Sequence, residues 1–417
     1  MIKAVKGTRD LLPPATALWN HVETVAREVF RRYHYQEIRT PIFETSELFA
    51  RGVGEETDIV TKEMYTFADR DGTSLTLRPE ATASVIRAYI EHRLDQQPGL
   101  QKLFYIGPMF RRERPQKGRY RQFFQIGAEC IGSESGLVDA EVIEMVIDVL
   151  RGVGLSELEL LLNSVGCRSC RPAYVEVLRA ALREAAPGMC ESCQRRAETN
   201  PLRVLDCKVP EDQPIIDGLP SIHDHLCDAC RTHFDLVRRA LASRSIASRI
   251  EPRLVRGLDY YTRTTFEIVH GALGAQNSIL GGGRYDGLAE QLGAKIPAPG
   301  IGFSIGEDRL VLILEQLLGE PAAPPLDIFI APLGEEAALH AGVLARRLRE
   351  SGRGVEVAPE GKLKKLLDLS NKRGARHTLI VGDNEMATGR YALRDMESSE
   401  QIEITREQLL ERFSSHD

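Results

Sequence analysis

The sequence contains no long hydrophobic run and no apolar segment at its N-terminus. No apolar stretch approaches the roughly 20 residues that a transmembrane helix requires. The opening Met-Ile-Lys-Ala-Val-Lys also lacks the apolar region of a secretory signal. We therefore expect a cytoplasmic protein with no membrane partner. The 417 residues, 42% hydrophobic and 27% charged, are typical of a globular protein of two or three domains.

The sequence also has no excess of positive charge. Its formal net charge of −6 argues against a chain that binds nucleic acid non-specifically over its whole surface. Local basic patches remain compatible with a nucleic-acid partner.

Two glycine-rich segments lack the spacings of the common nucleotide-binding loops. Residues 281–287 do not end in the Gly-Lys-Ser/Thr of a P-loop, and residues 300–306 read G-x-G-x-x-x-G rather than G-x-G-x-x-G. We therefore expect neither a P-loop nor a dinucleotide site. The glycines are predicted instead to permit close backbone approaches, next to Tyr285 in the first segment and between a strand and a helix in the second.

The pattern of apolar residues predicts a sheet flanked by helices in the N-terminal part. A helical period over 16–32 predicts an amphipathic helix, and residues 35–44 are predicted as a strand that Pro41 confines to a sheet edge or a bulge. Further strand-like segments are joined by polar loops rather than by helices, which favours an antiparallel sheet. These segments are 75–78, 102–107 and 121–126.

Two shifts in composition indicate domain boundaries. Seven of the eight cysteines fall within 166–233, and the Pro-rich segment 319–325 is predicted as a stiff linker. After that linker, strand-like and helical segments alternate as β-α-β-α-β. This alternation predicts a compact α/β domain with a mixed sheet at the C-terminus.

The octet Leu-Val-Arg-Gly-Leu-Asp-Tyr-Tyr at 254–261 is the sharpest local signal. Arg256 offers a planar set of N–H donors that suits a phosphate or a carboxylate. Tyr260 and Tyr261 offer hydroxyl groups and flat apolar faces that suit a small aromatic ligand. The octet therefore predicts a site for an anion beside an aromatic group.

A basic loop between two predicted strands is a second candidate. Residues 110–123 contain six basic residues around one proline and one glycine. Such a run is commonly a solvated loop. On the strand that follows, however, Gln125 and Glu129 share one face because side chains alternate with a period of two. The hairpin can thus place Arg111 at a phosphate while Gln125 and Glu129 line an adjoining pocket.

A third candidate is Glu80 with Thr82, where a strand gives way to a helix. One interpretation is that both residues cap the helix. The other is that the carboxylate and the hydroxyl bind an ammonium group in a cleft. The sequence leaves both interpretations open.

These segments together resemble the motifs of a known family. Residues 110–129 resemble motif 2 of the class II aminoacyl-tRNA synthetases, residues 300–309 resemble motif 3, and Pro41 with its strand resembles the dimer-forming motif 1. Residues 254–261 and 281–287 are similar to the two signatures of the histidyl-tRNA synthetase family. The resemblance covers nearly the whole chain, and its motifs occur in the family's order.

The resemblance implies a fold and a division into domains. It implies an α+β catalytic domain, with an antiparallel sheet flanked by helices, in two parts at 1–165 and 246–320. A helical, cysteine-rich subdomain would be inserted at 166–245. The α/β domain at 326–417 would bind the anticodon.

The resemblance also implies the reaction and the role of each residue. The family activates L-histidine with ATP and Mg²⁺ and then esterifies tRNA(His). Arg256 would be catalytic, lying between the histidine carboxylate and the α-phosphate. The histidine-binding residues would be Glu80, Thr82 and Gln125 at the ammonium group, and Glu129, Tyr260, Tyr261 and Tyr285 at the ring. The ATP-binding residues would be Arg111, Arg309 and Glu113, with Glu113 or Glu129 near Mg²⁺.

The implied nucleic-acid partner is tRNA, and the implied assembly is a homodimer. Arg114, Gln116 and Arg119 of the motif 2 loop would contact the acceptor end. Lys362, Lys364 and Lys365 belong to a basic cluster that is either an ordinary helix surface or an RNA contact, and the resemblance favours RNA.

The cysteines form three C-x-x-C pairs, at 167/170, 190/193 and 227/230. In a cytosolic protein such pairs favour metal binding over disulfides. We predict a structural Zn²⁺ bound by Cys190, Cys193, Cys227 and Cys230. The pair 167/170 could substitute for ligands of this set, and Cys207 or His233 could complete it. The alternative is that all these thiols are free.

Two other functions are compatible with parts of the pattern. A catalytically inactive regulatory paralogue of the synthetase should have lost its arginine signatures and the C-terminal α/β domain, yet both are present. A class II synthetase for another amino acid is disfavoured by Glu129, Tyr261 and the octet.

Overall fold

The computed structural model describes residues 2–55, 57–116, 118–271, 278–319, 326–359 and 361–414. The chain divides into two compact units, Met1–Pro321 and Ala322–Asp417, each with its own hydrophobic core. The predicted linker at 319–325 lies almost entirely outside the described residues. Every described helix is too short or too polar to cross a membrane.

The first unit combines strands and helices. Its strands are β1 (Gln36–Glu37), β2 (Phe43–Thr45), β3 (Tyr65–Ala68), β4 (Ser74–Leu77), β5 (Gln101–Phe110), β6 (Gln122–Ile131), β7 (Glu159–Ser164), β8 (Arg249–Ile250), β9 (Thr262–Val269), β10 (Ser278–Arg284) and β11 (Gly300–Gly306). Its helices are α1 (Thr16–Arg32), α2 (Ser46–Val53), α3 (Thr82–Glu91), α4 (Gly136–Gly152), α5 (Arg171–Ala185), α6 (Glu191–Thr199), α7 (Gln213–Asp217), α8 (Asp228–Ser243), α9 (Leu288–Gln291) and α10 (Glu307–Leu318).

The main sheet has eight strands in the order β1-β5-β6-β11-β10-β9-β7-β8. In this order across the sheet, the five pairings that connect β5 to β7 are antiparallel. Only the edge strands β1 and β8 pair in parallel with their neighbours. The predicted antiparallel sheet is therefore confirmed. The small sheet β2-β4-β3 is also antiparallel.

The predicted strand at 35–44 is divided in two. Its first part is β1, at the edge of the main sheet, and its last part is β2, in the small sheet. Pro41 lies between them. Because proline has no N–H to donate to a ladder, the chain leaves one sheet there and enters the other.

Helices cover the main sheet as the hydrophobic pattern predicts. Helix α1 begins and ends at the predicted residues and buries Val22, Ala26 and Val29 against the core. Residues 166–245 contain α5 to α8 and short 3-10 turns without strands, and the end of α8 packs against α4.

The second unit is an α/β fold with a mixed sheet, as predicted. Its strands are β12 (Leu326–Pro332), β13 (Val355–Val357), β14 (Ala375–Val381), β15 (Arg390–Asp395) and β16 (Gln401–Thr405), and its helices are α11 (Glu335–Glu350), α12 (Leu363–Lys372), α13 (Asp383–Thr388) and α14 (Arg406–Arg412). The strand order is β13-β12-β14-β15-β16. Pairings of β12 are parallel and those of β15 are antiparallel.

The first residue of α10, Glu307, is a buried carboxyl group. Neither of its oxygens has a hydrogen-bond partner among the described residues. Burial, with smaller contributions from Glu23 and Asp308, raises the pKa of Glu307 to about 9. Between these two pKa values, the folded protein therefore holds a proton on Glu307 that the unfolded chain, with an ordinary pKa of 4.5, releases.

We expect Glu307→Gln to stabilise the protein increasingly as the pH rises. Since the folded state binds the extra proton, wild-type stability falls with rising pH between the ordinary pKa and the raised one, and the variant avoids this loss. Thermal melts should give a small midpoint difference at about pH 5 and one on the order of 7 °C at about pH 8.5. The control is Glu315→Gln on the same helix, and a difference that does not change with pH would contradict the interpretation.

Candidate active site

Two adjoining cavities open on one face of the main sheet. The smaller has a volume of about 140 Å³ and the larger about 520 Å³. Arg111, Arg256, Gly281 and Ser304 line both cavities. The boundary between the two spaces therefore includes two guanidinium groups.

The sheet register explains why the smaller cavity exists. Neighbouring strands align Glu129 of β6 with Gly302 of β11 and then with Gly283 of β10. A Cβ atom on Gly302 would lie 1.8 Å from Glu129 Oε2. The mid-strand glycines thus leave room for the cavity side chains, which is a different role from the predicted close approach of a strand to a helix.

Glu129 is the buried acid of the smaller cavity and is 1% exposed. Its Oε2 accepts a hydrogen bond from the Tyr285 hydroxyl at 2.6 Å, and its Oε1 accepts one from the Thr82 hydroxyl at 2.8 Å. Burial raises the pKa of Glu129 to about 8, although both hydroxyl donors act in the opposite direction. A ligand that donates an N–H here would favour the ionised form.

Glu80 both caps a helix and lines the smaller cavity. Its carboxylate accepts the backbone N–H groups of Thr82 at 2.7 Å and Ala83 at 2.9 Å, at the start of α3. Glu80 therefore caps the helix, as the first interpretation predicts, whereas the Thr82 hydroxyl donates to Glu129 and does not cap it. Capping by Glu80 is compatible with the second interpretation, because Glu80, Thr82 and Gln125 all line the cavity. The buried Oε1 of Gln125 has no hydrogen-bond partner among the described residues, so its capacity to accept a hydrogen bond is unused there.

Three of the four tyrosines that line the smaller cavity form its aromatic wall. The rings of Tyr260 and Tyr261 have centroids 4.7 Å apart, and Tyr260 meets Tyr285 edge-on at 5.9 Å. Arg284, next to Tyr285, is fully buried and bonds Asp139 through Nε at 3.0 Å and through a terminal nitrogen at 2.7 Å. This buried ion pair fixes the end of β10 and with it the position of Tyr285.

Arg256 lies across the sheet between the two cavities. Its guanidinium group donates to Glu267 of β9, and Glu267 is the strand partner of Gly281. A Cβ atom on Gly281 would lie 2.2 Å from that guanidinium group. Glycine at this position is therefore required for Arg256 to reach both cavities.

The other predicted ATP-binding residues line the larger cavity. Arg111 donates from Nε to the Pro79 carbonyl at 2.9 Å, and Arg309 donates to the Ser278 carbonyl at 2.9 Å. Glu113 lies 3.7 Å from Arg111 and 3.3 Å from Arg119. Burial raises the pKa of the nearby Glu63, and Glu113 raises it further. Positive and negative groups thus alternate around a space large enough for a nucleotide.

The predicted tRNA-contacting residues are exposed in both units. Arg114, Gln116 and Arg119 are exposed on the loop between β5 and β6, where Gln116 and Arg119 pair in an isolated bridge. Lys362, Lys364 and Lys365 are exposed at the start of α12.

The cysteines are grouped differently from the prediction. One group contains Cys167, Cys170, Cys227 and Cys230, and the other contains Cys190, Cys193, Cys207 and Asp212. The predicted set of Cys190, Cys193, Cys227 and Cys230 is therefore divided between two places, and the first group is the predicted alternative in which the pair 167/170 replaces the pair 190/193. His233 belongs to neither group, because it faces Asp139 at 3.3 Å.

The physical reason for the regrouping is the topology of the inserted segment. Cys167 follows β7, where the chain leaves the main sheet, and Cys227 precedes α8, which packs back onto the core. The two ends of an insertion meet at its base. The middle pair at 190/193 lies away from that base, with Cys207.

Some residues that line the cavities carried no recognisable signal in the sequence. Glu267 meets Arg256 only because the register of β9 and β10 aligns Glu267 with Gly281, over which Arg256 lies. Arg203 and Asp206, from the inserted segment, line the larger cavity. Tyr105, which lines the smaller one, could have been inferred from Gly127, its partner across the β5–β6 hairpin.

The structure brings the predicted small-molecule residues together. The predicted histidine-binding residues all line the smaller cavity: Glu80, Thr82, Gln125, Glu129, Tyr260, Tyr261 and Tyr285. The predicted ATP-binding residues all line the larger one: Arg111, Glu113 and Arg309. Their individual roles stay predictions.

Comparisons with known proteins identify the family of the chain. A family model described as histidyl-tRNA synthetase matches residues 7–310, and one described as an anticodon binding domain matches residues 327–416. The histidine–tRNA ligase of Solibacter usitatus is 69% identical over 415 residues, covering 100% of this chain and 99% of its own. That of Koribacter versatilis is 56% identical over 430 residues, covering 100% of this chain and 97% of its own.

A solved structure agrees as well. The apo histidyl-tRNA synthetase of S. aureus is 37% identical, with a TM-score of 0.83 over 100% of both chains. The chain therefore belongs to the histidyl-tRNA synthetase family.

Proposed function

We propose that this protein is a histidine–tRNA ligase. It activates L-histidine with ATP, giving histidyl-adenylate and pyrophosphate, and then transfers histidine to the 3′ end of tRNA(His). The observation that carries the proposal is the pair of adjoining cavities: one lined by the buried Glu129 and four tyrosines, the other by arginines, with Arg111 and Arg256 shared.

The smaller cavity suits histidine. Glu129 accepts one ring N–H, and a tyrosine hydroxyl satisfies the other ring nitrogen. Gln125 and Glu80 accept from the ammonium group, since the first has an unpaired oxygen and the second is a carboxylate. A ligand without both ring nitrogens leaves buried polar groups unpaired, and such sites discriminate by about 10⁴-fold or more.

The larger cavity suits ATP. In adenylation the histidine carboxylate attacks the α-phosphorus in line and pyrophosphate leaves, so charge neutralisation and positioning dominate. We assign Arg256 and Arg111, which line both cavities, to the point where the carboxylate meets the α-phosphate. Arg309, which lines only the larger cavity, is assigned to the γ-phosphate end.

Mg²⁺ would neutralise and orient the phosphates. Glu113 and Glu63 both line the larger cavity, and Glu113 lies close enough to Glu63 to raise the pKa of Glu63. This donor set fits Mg²⁺, which prefers oxygen ligands. Glu129, the alternative, fits less well because it lines the smaller cavity and not the larger one.

The remaining assignments rest on family membership. We assign 1–165 and 246–320 to the catalytic core, 166–245 to an insertion and 326–417 to anticodon binding. Arg114, Gln116 and Arg119 contact the acceptor end, and Lys362, Lys364 and Lys365 contact anticodon-stem phosphates. We also assign a cytoplasmic location and a homodimer formed through the segment around Pro41.

ATP–pyrophosphate exchange across all the standard amino acids tests the function. We expect exchange that depends on histidine alone, because the other side chains do not provide two ring nitrogens. Exchange with a different amino acid would identify another class II synthetase. No exchange in a folded protein that binds histidine would support the regulatory alternative.

A further inference from the structure

Four thiols converge at the base of the inserted segment. Cys167 and Cys170 lie in the turn between β7 and α5, Cys227 is the N-cap of α8, and Cys230 is in the first turn of α8. All four sulfur atoms lie within 4.8 Å of one another. Residues about 60 positions apart in the chain thus form one compact cluster.

The spacing of the sulfur atoms matches a tetrahedral metal site. The distances are 3.8 Å for Cys167–Cys170, 3.9 Å for Cys167–Cys227 and 3.8 Å for Cys170–Cys230. A tetrahedron with zinc–sulfur bonds of about 2.3 Å has edges of about 3.8 Å. The sulfur–sulfur bond of a disulfide is about 2.05 Å long. The observed distances are too long for a disulfide and fit four thiolates around a central ion.

The backbone around the cluster supports thiolates. The N–H groups of Cys167 and Ser169 point at sulfur, at 3.3 Å from Cys170 Sγ and 3.4 Å from Cys167 Sγ. Cys227 and Cys230 lie at the N-terminus of α8, whose dipole favours negative charge. Gly166 has a φ of +69°, a backbone conformation that favours glycine, and a Cβ atom there would lie 3.0 Å from Cys170 Sγ. Glycine at this position therefore lets the chain pass close to the sulfur atoms.

We propose that Cys167, Cys170, Cys227 and Cys230 bind one structural Zn²⁺ that fastens the two ends of the insertion to each other. Four cysteines without an open coordination position are the ligand set of a structural rather than a catalytic zinc. The ion closes the base of the segment that contributes Arg203 and Asp206 to the larger cavity.

The zinc site is connected to the histidine pocket by Arg171. This residue directly follows Cys170 and donates to the Val165 carbonyl at 3.0 Å and to the carbonyl of Tyr261. Tyr261 belongs to the aromatic wall of the smaller cavity. Arg171 is therefore a positioning residue, and this part of the proposal rests on the proposed function.

The second cysteine group is a weaker candidate. Its Asp212 already accepts the backbone N–H of Cys190 at 3.0 Å and the thiol of Cys207 at 3.2 Å. These hydrogen bonds satisfy the carboxylate without an ion. We confine the proposal to the first group.

Metal analysis of full-length protein prepared without chelators tests the site. We expect wild type to contain at least one zinc per chain and the double variant Cys170→Ser/Cys230→Ser to contain one fewer. Cys130→Ala, which removes a core cysteine outside both groups, should retain the wild-type content. Equal zinc content in wild type and the double variant would overturn the proposal.

Cobalt exchange of the wild-type protein does not depend on the folding of a variant. Replacement of zinc by Co²⁺ should give the sulfur-to-cobalt charge-transfer band and the intense visible bands of a tetrahedral thiolate site. Absence of both bands, or an intact mass lowered by disulfide formation between these cysteines, would also overturn the proposal.

Kinetics test the connection to the pocket separately. Arg171→Ala should retain its zinc, raise the KM for histidine about tenfold and leave the KM for ATP close to wild type, because supporting groups of this kind typically contribute 10-fold to 100-fold. An unchanged histidine KM would refute the positioning role and leave the zinc site standing. No exchange activity in zinc-loaded wild type would count against the proposed function alone.

Discussion

Replacing Arg256 with alanine is expected to lower the rate of histidyl-adenylate formation by about 10³-fold. Arg256 lies between the two cavities and contacts both. It is positively charged at every relevant pH, so it can neutralise the histidine carboxylate as that group approaches the α-phosphate. Single-turnover mixing of enzyme with histidine and ATP measures the adenylation step directly.

Two further variants separate the charge from the geometry. Arg256→Lys keeps the charge but loses the planar set of donors, so we expect an intermediate rate. Arg253→Ala is the matched control, because Arg253 lies three residues earlier and pairs with Asp217 at 2.7 Å outside both cavities. Near-normal adenylation by Arg256→Ala, with the control also normal, would remove Arg256 from the mechanism.

Glu129→Gln is expected to raise the KM for histidine about 100-fold, with a smaller effect on the KM for ATP. A hydrogen bond to a charged group contributes about 1.5–3 kcal/mol, and the amide also presents an N–H where Tyr285 or Thr82 already donates. Histidine-dependent exchange at varied histidine and ATP concentrations gives both constants. Glu141→Gln, at an acid of α4 that pairs with Lys102 outside both cavities, should behave as wild type.

The pH dependence of the KM for histidine gives a second test of Glu129. Because burial raises the pKa of Glu129 to about 8, the free enzyme holds a proton there at neutral pH. The carboxylate that accepts the ring N–H becomes available as that proton leaves, so the wild-type KM for histidine should fall between about pH 7 and pH 8.5. The Glu129→Gln variant should show no such fall, and the same slope in both proteins would mean that another group titrates.

The sequence was most informative where a function depends on local spacing. The octet at 254–261 and the period-two alternation of Gln125 and Glu129 identified side chains that the structure places in one cavity. The amphipathic helix over Thr16–Arg32 was also predictable, because a helical stripe of apolar residues is a local property.

The sequence was least informative where residues meet through long-range pairing. Nothing near Glu267 indicates that it pairs with Arg256, because that contact depends on the register of β9 and β10. The cysteine pairs illustrate the same difficulty, since spacing identifies a C-x-x-C pair but not its partner. The base of the insertion, where the chain leaves and rejoins the core, decides which pairs meet.

The two arginines shared by the cavities also affect what happens after the first reaction. On the proposed assignment of the cavities, histidyl-adenylate is a single molecule that spans both of them, so binding of one half of the molecule holds the other half at a high effective concentration. It should bind far more tightly than either substrate alone, because the entropy of association is lost once rather than twice. We therefore expect the boundary between the cavities, where the reactants would be joined, to retain the water-labile intermediate until tRNA arrives.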